Sequence, residues 1–429
     1  MRTLNILIEI NGEAVPVGTI TGTNGDDAVF SYAEEYRFQK GRRPISVALP
    51  FEAESFTPRQ THHFFDGLLP EGFTRRSVAA HLHLDAEDYL SILAALGGEC
   101  LGAIRVVEKE HTLEPARYER LSVEQVRALA AEGTSKTANL IAESHLSLTG
   151  ASGKAGLYLE PNENVWYQPF GDAPSTHIVK QSHIRLEEIV VNEQLCLMTA
   201  GRLGIPVPES FIINLGNAKE EDVLFATKRY DREDSGPEGK LVSGLPRPNR
   251  LHQEDFSQAL GISAANKYER DGKQYLADCF ELLRNVSENP IADQLQLWKQ
   301  LLFDYLIGNT DNHIKNISLL YSADMHTVRL APAYDILSTA IYPRSTRDMA
   351  IRIGGAYRLD EIDRPAIQQA AAEAGLGRGM ALSCLDKMIE KLPQALAESA
   401  EVLRQAGFWY AERLADRILE NGGISSWLS

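Results

Sequence analysis

The sequence has few cysteines, no long apolar run and no excess of basic residues. Its four cysteines, Cys100, Cys196, Cys279 and Cys384, are widely separated, which excludes a CxxC zinc site and indicates no disulfide framework. We therefore expect free thiols in a reducing cytoplasm. No apolar run reaches the ~20 residues that cross a bilayer, and the first residues lack the order of a signal peptide. We expect no membrane association.

The charge balance narrows the choice of partners. The formal net charge is -16, and nucleic-acid binding depends mostly on basic residues that contact phosphates. A chain this acidic is poorly suited to binding DNA by itself. It is compatible with a basic protein partner, because opposite charges steer association.

The 429 residues exceed one ordinary core, so we expect several parts. The predicted fold class is α+β: a two-lobed protein-kinase-like fold, with a β-rich N-lobe and a helical C-lobe, and an additional N-terminal β-rich module. The predicted boundaries are 1–108 for the N-terminal module, 109–145 for a connector, 146–250 for the N-lobe and 251–429 for the C-lobe.

Local patterns predict several elements. Asn11-Gly12 lies between two apolar stretches and predicts a hairpin of Leu4–Ile10 with Val15–Ile20. A further strand is predicted at Pro44–Leu49. The closing helices are predicted at Ala381–Leu392 and Ala397–Ile418.

The strongest chemical signal is the segment from Ile307 to Asn316. Asp311 precedes Asn316 by five residues, the spacing with which kinase catalytic loops place a base and a metal ligand on one turn. Asp335 follows nineteen residues later, where kinases place a second metal-binding aspartate. Amide and carboxylate oxygens suit Mg²⁺, which keeps water and phosphate oxygens as its other ligands. An ordinary polar loop is the alternative, and the downstream Asp335 argues against it.

His313 is a third candidate catalytic residue in this loop. Its ring could contact the γ-phosphate of ATP, or it could pin the loop backbone. We favour the structural role for the ring.

A lysine and a glutamate upstream suggest a phosphate-binding pair. Lys180 ends a predicted strand and Glu193 lies in a predicted helix; kinases hold the ATP phosphates with such a pair. A solvated lysine and a helix-surface glutamate are the alternatives, and Glu187 and Glu188 are rivals of Glu193.

Two further segments are candidates for contacting ATP. Glycines allow backbone N–H groups to approach phosphates closely, and the loop in question consists of Gly150, Ala151, Ser152, Gly153 and Lys154. This loop has neither the kinase nor the Walker A glycine pattern, so a hairpin turn is the alternative. The strand end formed by Lys228, Arg229 and Tyr230 is predicted to contact adenine through its backbone, and an ordinary strand end is the alternative.

Taken in order, these motifs resemble the HipA-type serine/threonine kinases, the toxin halves of bacterial HipBA toxin–antitoxin pairs. The resemblance covers nearly the whole chain. Its other carriers are Phe64-Phe-Asp-Gly-Leu-Leu-Pro-Glu, Gly98-Glu-Cys-Leu-Gly-Ala, Leu146-Ser-Leu-Thr-Gly-Ala, Asn192-Glu193, Arg229-Tyr-Asp-Arg, His252-Gln-Glu-Asp, Lys267-Tyr-Glu and Tyr334-Asp-Ile.

The resemblance implies a function for each part of the site. Asp311 would be the catalytic base, Asn316 and Asp335 would hold Mg²⁺, and Lys180 would bind the phosphates of ATP. The acceptor would be a translation component, with an aminoacyl-tRNA synthetase as the expected one. The module at 1–108 would help to dock a small DNA-binding, HipB-like antitoxin, so that DNA is contacted only indirectly.

The resemblance also implies self-regulation at Ser147, which matches the serine that these kinases autophosphorylate in order to switch themselves off. Thr149 and Ser152 depart from the family pattern and offer two more hydroxyl groups. The principal site among the three is left open.

Two other functions are alternatives to a HipA-type serine/threonine kinase. A small-molecule or lipid-type kinase shares an Asp-x-His-x-x-Asn loop. A non-toxic pseudokinase that serves as a co-repressor would be a binding module, but the charged catalytic positions are all present, which argues against it.

Overall fold

The computed structural model describes residues 1–108, 115–131, 154–160, 163–182, 186–216, 218–270 and 272–428. The chain divides into two compact units. The first unit comprises Met1–Gln181, Ala226–Ala264 and Leu319–Val328, and the second comprises Ser182–Phe225, Ala265–Ser318 and Arg329–Ser429. Ser147, Thr149 and the candidate loop 150–153 lie outside the described residues, so these predictions stay as they are.

The strands of the described residues are β1 (Arg2–Ile10), β2 (Glu13–Gly22), β3 (Val29–Tyr32), β4 (Ile104–Glu108), β5 (Arg117–Arg120), β6 (Lys154–Glu160), β7 (Val165–Phe170), β8 (His177–Gln181), β9 (Ser210–Asn214), β10 (Val223–Lys228), β11 (Arg232–Glu233), β12 (Leu241–Val242), β13 (Leu245–Pro246), β14 (Asn249–Arg250), β15 (Gln253–Asp255), β16 (Ser318–Tyr321), β17 (Val328–Leu330), β18 (Asp348–Ile353) and β19 (Ala356–Arg358).

The α-helices of the described residues are α1 (Glu34–Phe38), α2 (Pro58–Phe65), α3 (Gly72–His81), α4 (Tyr89–Leu96), α5 (Val123–Ala131), α6 (Ile189–Arg202), α7 (Phe256–Ala259), α8 (Tyr275–Val286), α9 (Pro290–Ile307), α10 (Arg364–Glu373), α11 (Arg378–Gln405) and α12 (Ala411–Asn421). Over this part of the chain, no helix is both long and apolar enough to cross a bilayer.

The first sheet of the first unit has the strand order β3-β2-β1-β4. The predicted hairpin is confirmed: β1 pairs with β2 in antiparallel fashion, and the turn residues Asn11 and Gly12 have φ angles of 52° and 77°. Positive φ at both central positions is what a two-residue hairpin turn of type I′ requires. Leu4, Ile6 and Ile8 alternate along β1 and are fully buried.

The second sheet of this unit contains the order β5-β7-β6-β8. Its edge strand β5 pairs with β7 over Arg117–Arg120, inside the segment that the sequence indicated only as a connector. The alternation Arg-Tyr-Glu-Arg buries a single side chain, Tyr118, and one apolar residue is too weak a pattern to predict a strand.

The predicted strand at Pro44–Leu49 is wrong. Side chains satisfy the backbone of this segment in place of a strand ladder: the Ile45 N–H donates to the Tyr32 hydroxyl at 3.0 Å, and the Leu49 carbonyl accepts from the same hydroxyl at 2.7 Å. The apolar residues Ile45 and Leu49 are buried, which explains why their pattern resembles that of a strand.

The second unit is largely helical, and its closing helices differ from the predicted pair. The helix α11 continues through Pro393, and the chain turns at Gly407, which has a φ of 100°. Leu385, Leu392 and Leu396 are all buried along α11, so the apolar face is continuous on both sides of the proline. Packing of this face offsets the ~3 kcal/mol that an interior proline costs.

Candidate active site

The Asp311 loop is anchored by the helix that precedes it. The helix α9 is capped at its C-terminus by Gly308, whose φ of 73° favours glycine and where an added Cβ would lie 2.6 Å from the Cβ of Ala340. Asp304, buried in the last turn of α9, accepts hydrogen bonds from the side-chain amides of Asn309 at 2.9 Å and Asn312 at 2.5 Å. Burial raises the pKa of Asp304 to about 8, although the hydrogen bond from Asn309 opposes this shift. The residues on both sides of Asp311 are thus tied to the helix.

Hydrogen bonds inside the loop join the predicted base and metal ligand. The Asn316 side-chain amide donates to the Asp311 carbonyl at 3.1 Å, and the His313 backbone N–H donates to the same carbonyl at 2.8 Å. With its amide nitrogen engaged as a donor, Asn316 can offer a cation its Oδ1. Asp311 is exposed whereas His313 is buried, in keeping with a ring that supports the loop.

Asp335 has a φ of 57°, a conformation that is uncommon outside glycine and concentrates at functional sites. The hydroxyl of its neighbour Tyr334 donates to the Lys315 carbonyl at 2.9 Å and lies 2.7 Å from the Ser318 hydroxyl. Tyr334 therefore links the segment of Asp335 to the backbone beside Asn316.

A second link joins the two segments at the start of the loop. The Gly308 carbonyl accepts from the N–H groups of Thr339 at 3.0 Å and Ala340 at 2.9 Å, and the Thr310 N–H donates to the Thr339 hydroxyl at 2.8 Å. The residues before Asp311 and those after Asp335 consequently form one connected structure.

The donor types at Asn316 and Asp335 suit a hard cation. Among the residues that the structure describes, no group of three or more His, Cys, Asp or Glu side chains comes together as a metal site. One amide oxygen and one carboxylate are a set that Mg²⁺ accepts, because it takes its other ligands from water and phosphate.

Asp311 lies in a cleft of the second unit with a volume of about 860 Å³. The Tyr268 hydroxyl, which also lines this cleft, donates to Asp311 Oδ1 at 2.5 Å. In the sequence, Tyr268 is recognisable only as part of a family motif, and its contact with Asp311 is not predicted, because no spacing rule relates residues that are 43 positions apart.

Glu193 and its rivals occupy different environments in the second unit. Glu193 is buried within α6. Glu188, which precedes α6, forms ion pairs with Arg413 and Arg417, and Glu187 is exposed. The ion pairs give Glu188 a structural function, so Glu193 is the better candidate. Its pairing with Lys180 stays a prediction.

Two lysines face each other in the first unit. Lys154 of β6 and Lys180 of β8 are direct partners in the antiparallel register, and Lys180 is buried. Directly opposite residues on neighbouring strands project their side chains from the same face of the sheet. Binding of the ATP phosphates by these two lysines stays a prediction.

The three residues at the predicted adenine site differ in their surroundings. Lys228 is exposed, and the Tyr230 hydroxyl donates to the Gln253 side chain. The Arg229 side chain is buried and binds Asp231 through two hydrogen bonds, at 2.9 and 2.7 Å. Its backbone N–H donates to Thr176. Arg229 can therefore offer ATP only its carbonyl, and its side chain has a structural function.

Arg229 belongs to a group of charged residues within the first unit that we call the buried ionic cluster. Its members are Glu9, Glu99, Arg105, Asp172, Arg229, Asp231, Arg232, Arg247 and Arg250. Burial alone would raise the pKa of Glu9, but the hydrogen bond from Arg247 and the charge of Arg250 outweigh it and lower the pKa to about 2. The cluster connects the N-terminal sheet to the chain around Arg229 and Arg250.

Fold and loop together define an α+β protein of the protein-kinase-like class with an added N-terminal module, as predicted. The profile of the HipA N-terminal domain matches residues 8–107, and that of the HipA-like C-terminal domain matches residues 146–396. The chain belongs to the HipA family.

Relatives of full length support this assignment. The protein Y4mE of Sinorhizobium fredii is 33% identical over 394 residues, 90% of each chain. The serine/threonine-protein kinase toxin HipA of Shewanella oneidensis is 28% identical over 378 residues, 84% of this chain and 82% of the relative. A chain of the solved Shewanella oneidensis complex of HipA, HipB and operator DNA superposes with a TM-score of 0.79 at 22% identity, covering 99% of this chain and 97% of that one.

Proposed function

We propose that the protein is an ATP- and Mg²⁺-dependent serine/threonine protein kinase and the toxin of a HipBA-type pair. The observation that carries this proposal is the connected structure around Asp311. The amide of Asn316 donates to the backbone of Asp311, and Tyr334 ties the segment of Asp335 to the same loop. A base and two oxygen ligands on linked segments are what phosphoryl transfer to a hydroxyl group requires.

Each residue has a distinct task in this reaction. Asp311 accepts the proton of the acceptor hydroxyl as its oxygen attacks the γ-phosphorus of ATP; the bond between that phosphorus and the β–γ bridging oxygen breaks, and ADP leaves. Lys154 and Lys180 bind the phosphates of ATP, together with backbone N–H groups of residues 150–153. The backbone of residues Lys228–Tyr230 contacts the adenine. Asn316 and Asp335 would hold Mg²⁺, which neutralises the charge of the phosphates when bound.

The cleft beside Asp311 provides room for the acceptor. Asp311 is exposed in it, and the cleft lies wholly within the second unit. A volume of about 860 Å³ admits a peptide segment with a serine or threonine hydroxyl. We propose a translation component, specifically an aminoacyl-tRNA synthetase, as the acceptor.

Regulation would follow the family pattern. We propose autophosphorylation in the loop that contains Ser147, Thr149 and Ser152, where a phosphate adds about -1.5 to -2 charge and would compete with ATP for Lys154 and Lys180. A small DNA-binding, HipB-like antitoxin is the proposed partner, because a solved HipA–HipB–DNA complex has the same fold and the net charge of -16 suits a basic protein.

Incubation with Mg²⁺, ATP and a bacterial lysate, followed by phosphopeptide mass spectrometry, tests the function, with Asp311→Asn as the blank. We expect Mg²⁺-dependent phosphoserine or phosphothreonine on a translation component and in residues 147–152. Phosphate found only on small hydroxylated metabolites would identify a small-molecule kinase. An absence of ATP turnover would favour the pseudokinase co-repressor.

A further inference from the structure

We propose that Tyr268 is a positioning residue for Asp311. Its hydroxyl donates to Asp311 Oδ1 at 2.5 Å and holds this carboxylate in the orientation in which it accepts the proton of the acceptor. The proposal rests on the proposed function, since it concerns the same base. An exposed aspartate side chain otherwise samples several rotamers, and a misplaced base loses much of its effect.

The segment that carries Tyr268 is held firmly against β18. The N–H of the next residue, Glu269, donates to the Ala350 carbonyl at 2.8 Å. The Glu269 carboxylate is buried, accepts from the Arg352 N–H at 2.8 Å and forms an ion pair with the Arg352 guanidinium at 3.2 Å. It also accepts from the Tyr275 N–H at 3.2 Å. Tyr268 thus extends from a fixed backbone to Asp311.

The ring of Tyr268 packs against the loop that contains Asp311. It meets the buried His313 ring edge-on, with 5.1 Å between the ring centroids, and the Lys267 ammonium lies 5.6 Å from its centroid. The Tyr268 side chain therefore contacts the loop at two points, Asp311 through its hydroxyl and His313 through its ring. This contact gives the buried His313 a function in keeping the loop and Tyr268 together.

The hydrogen bond from Tyr268 is compatible with binding of the acceptor. A carboxylate has about four lone-pair positions on its two oxygens, and Tyr268 uses one of them on Oδ1. An acceptor hydroxyl can therefore approach the same carboxylate while Tyr268 remains in place. Tyr268 orients the base and need not be displaced before the reaction.

A phenol donor favours the charged form of the carboxylate, so this role has a pH signature. Loss of the donor should shift the acidic limb of the pH–rate profile to higher pH. Among the described residues, the titratable or charged groups near this site include His313 in the same loop, Asp304 in the helix before it, Lys267, Glu269 and Arg270 beside Tyr268, and Asp348 on β18.

The test compares Tyr268→Phe with Tyr275→Phe in steady-state phosphotransfer. Tyr268→Phe keeps the ring, so we expect kcat to fall about ten- to a hundredfold, the effect of one hydrogen bond to a charged group. The KM for ATP should stay unchanged, and the acidic limb should shift to higher pH. Tyr275→Phe is the control. The Tyr275 hydroxyl donates to the Asn266 carbonyl at 2.7 Å, so its loss loosens the segment that carries Tyr268 but should leave the acidic limb of the pH–rate profile in place.

A stronger hydrogen-bond donor at position 268 should shift the acidic limb of the pH–rate profile in the opposite direction. Replacement of Tyr268 with 3-fluorotyrosine retains the hydroxyl and increases its acidity, so the acidic limb should move to lower pH. An unchanged kcat and pH profile in Tyr268→Phe would overturn the proposal, as would a rise in kcat, which would make the hydroxyl a competitor of the acceptor. An equal limb shift in Tyr275→Phe would also overturn it. A wild type without any transfer would instead contradict the proposed function.

Discussion

Asn192 and Ser338 are joined by two hydrogen bonds. The Asn192 side-chain nitrogen donates to the Ser338 carbonyl at 2.8 Å, and its oxygen accepts from the Ser338 N–H at 3.1 Å. Both residues are fully buried. Asn192 of α6 therefore holds the backbone three residues after Asp335, and Thr339 continues from there to the start of the Asp311 loop.

This relationship predicts that Asn192→Ala weakens both stability and the metal site. The change leaves two buried backbone groups of Ser338 without their partner, so we expect a loss of about 2–3 kcal/mol in the free energy of unfolding. It should also reduce the dependence of ATP affinity on Mg²⁺. Denaturant unfolding and calorimetry check the two effects. Gln194→Ala is the control, because Gln194 is a buried amide of the same helix that binds Ser210 instead. A full Mg²⁺ response in Asn192→Ala would contradict this link.

The facing lysines predict that ATP affinity depends on the charge of Lys154. Lys154→Met keeps the apolar stem and removes the ammonium group that would contact the phosphates, so ATP affinity should fall about tenfold or more. Lys240→Met, at an exposed lysine that pairs with Glu13, is the control. Unchanged ATP affinity in Lys154→Met would remove Lys154 from the phosphate site.

Asp335→Asn tests the metal site with little effect on the backbone, since asparagine tolerates the positive φ of this position. The carboxylate charge is lost, so we expect ATP affinity to respond much less to Mg²⁺, and Asn316→Ala should have a similar effect. Calorimetric titration of ATP with and without Mg²⁺ measures the response. A variant that keeps the wild-type response would show that its residue is not a ligand.

The buried ionic cluster predicts stability that depends on Glu9. Glu9→Gln leaves Arg247 and Arg250 partly uncompensated, and breaking such a buried pair costs about 3–5 kcal/mol. Glu13→Gln, at an exposed residue that begins the neighbouring strand β2, should cost under about 1 kcal/mol.

The same residue predicts how stability changes with pH. The pKa of Glu9 is lowered from 4.5 to about 2 in the folded protein. Its contribution is therefore fully present above the unfolded pKa and is lost as the pH falls through the folded value. Denaturant unfolding of wild type and Glu9→Gln between pH 5 and pH 2, a range set by that shift, should give converging free energies. A constant difference across this range would contradict the lowered pKa.

Local patterns predicted some elements of the fold and failed at others. The Asn11-Gly12 turn is a signal within a short window, and the structure has the hairpin that it predicts. The break expected near Pro393 is absent because packing of the whole α11 face outweighs a local preference. The strand expected at Pro44–Leu49 is absent because Tyr32 takes over its backbone groups.

The spacing of Asp311 and Asn316 predicted the chemistry of the Asp311 loop, whereas no sequence pattern predicted the residues that position this loop. Asp311 and Asn316 lie five residues apart on one turn, so a sequence pattern can show them together. Tyr268 and Asn192 act on this site from distant parts of the chain through single hydrogen bonds. Such contacts depend on tertiary packing, to which no periodicity in the sequence corresponds.

The most direct test of the central claim is the single-turnover rate of phosphotransfer by Asp311→Asn, measured beside its ATP affinity. The variant keeps the shape of the side chain and removes the base. We expect ATP affinity within about threefold of wild type and a transfer rate lower by a hundred- to ten-thousandfold or more. Asp386→Asn, at an exposed aspartate of α11, is the control and should transfer phosphate at the wild-type rate. A transfer rate in Asp311→Asn within tenfold of wild type would contradict the assignment of Asp311 as the base.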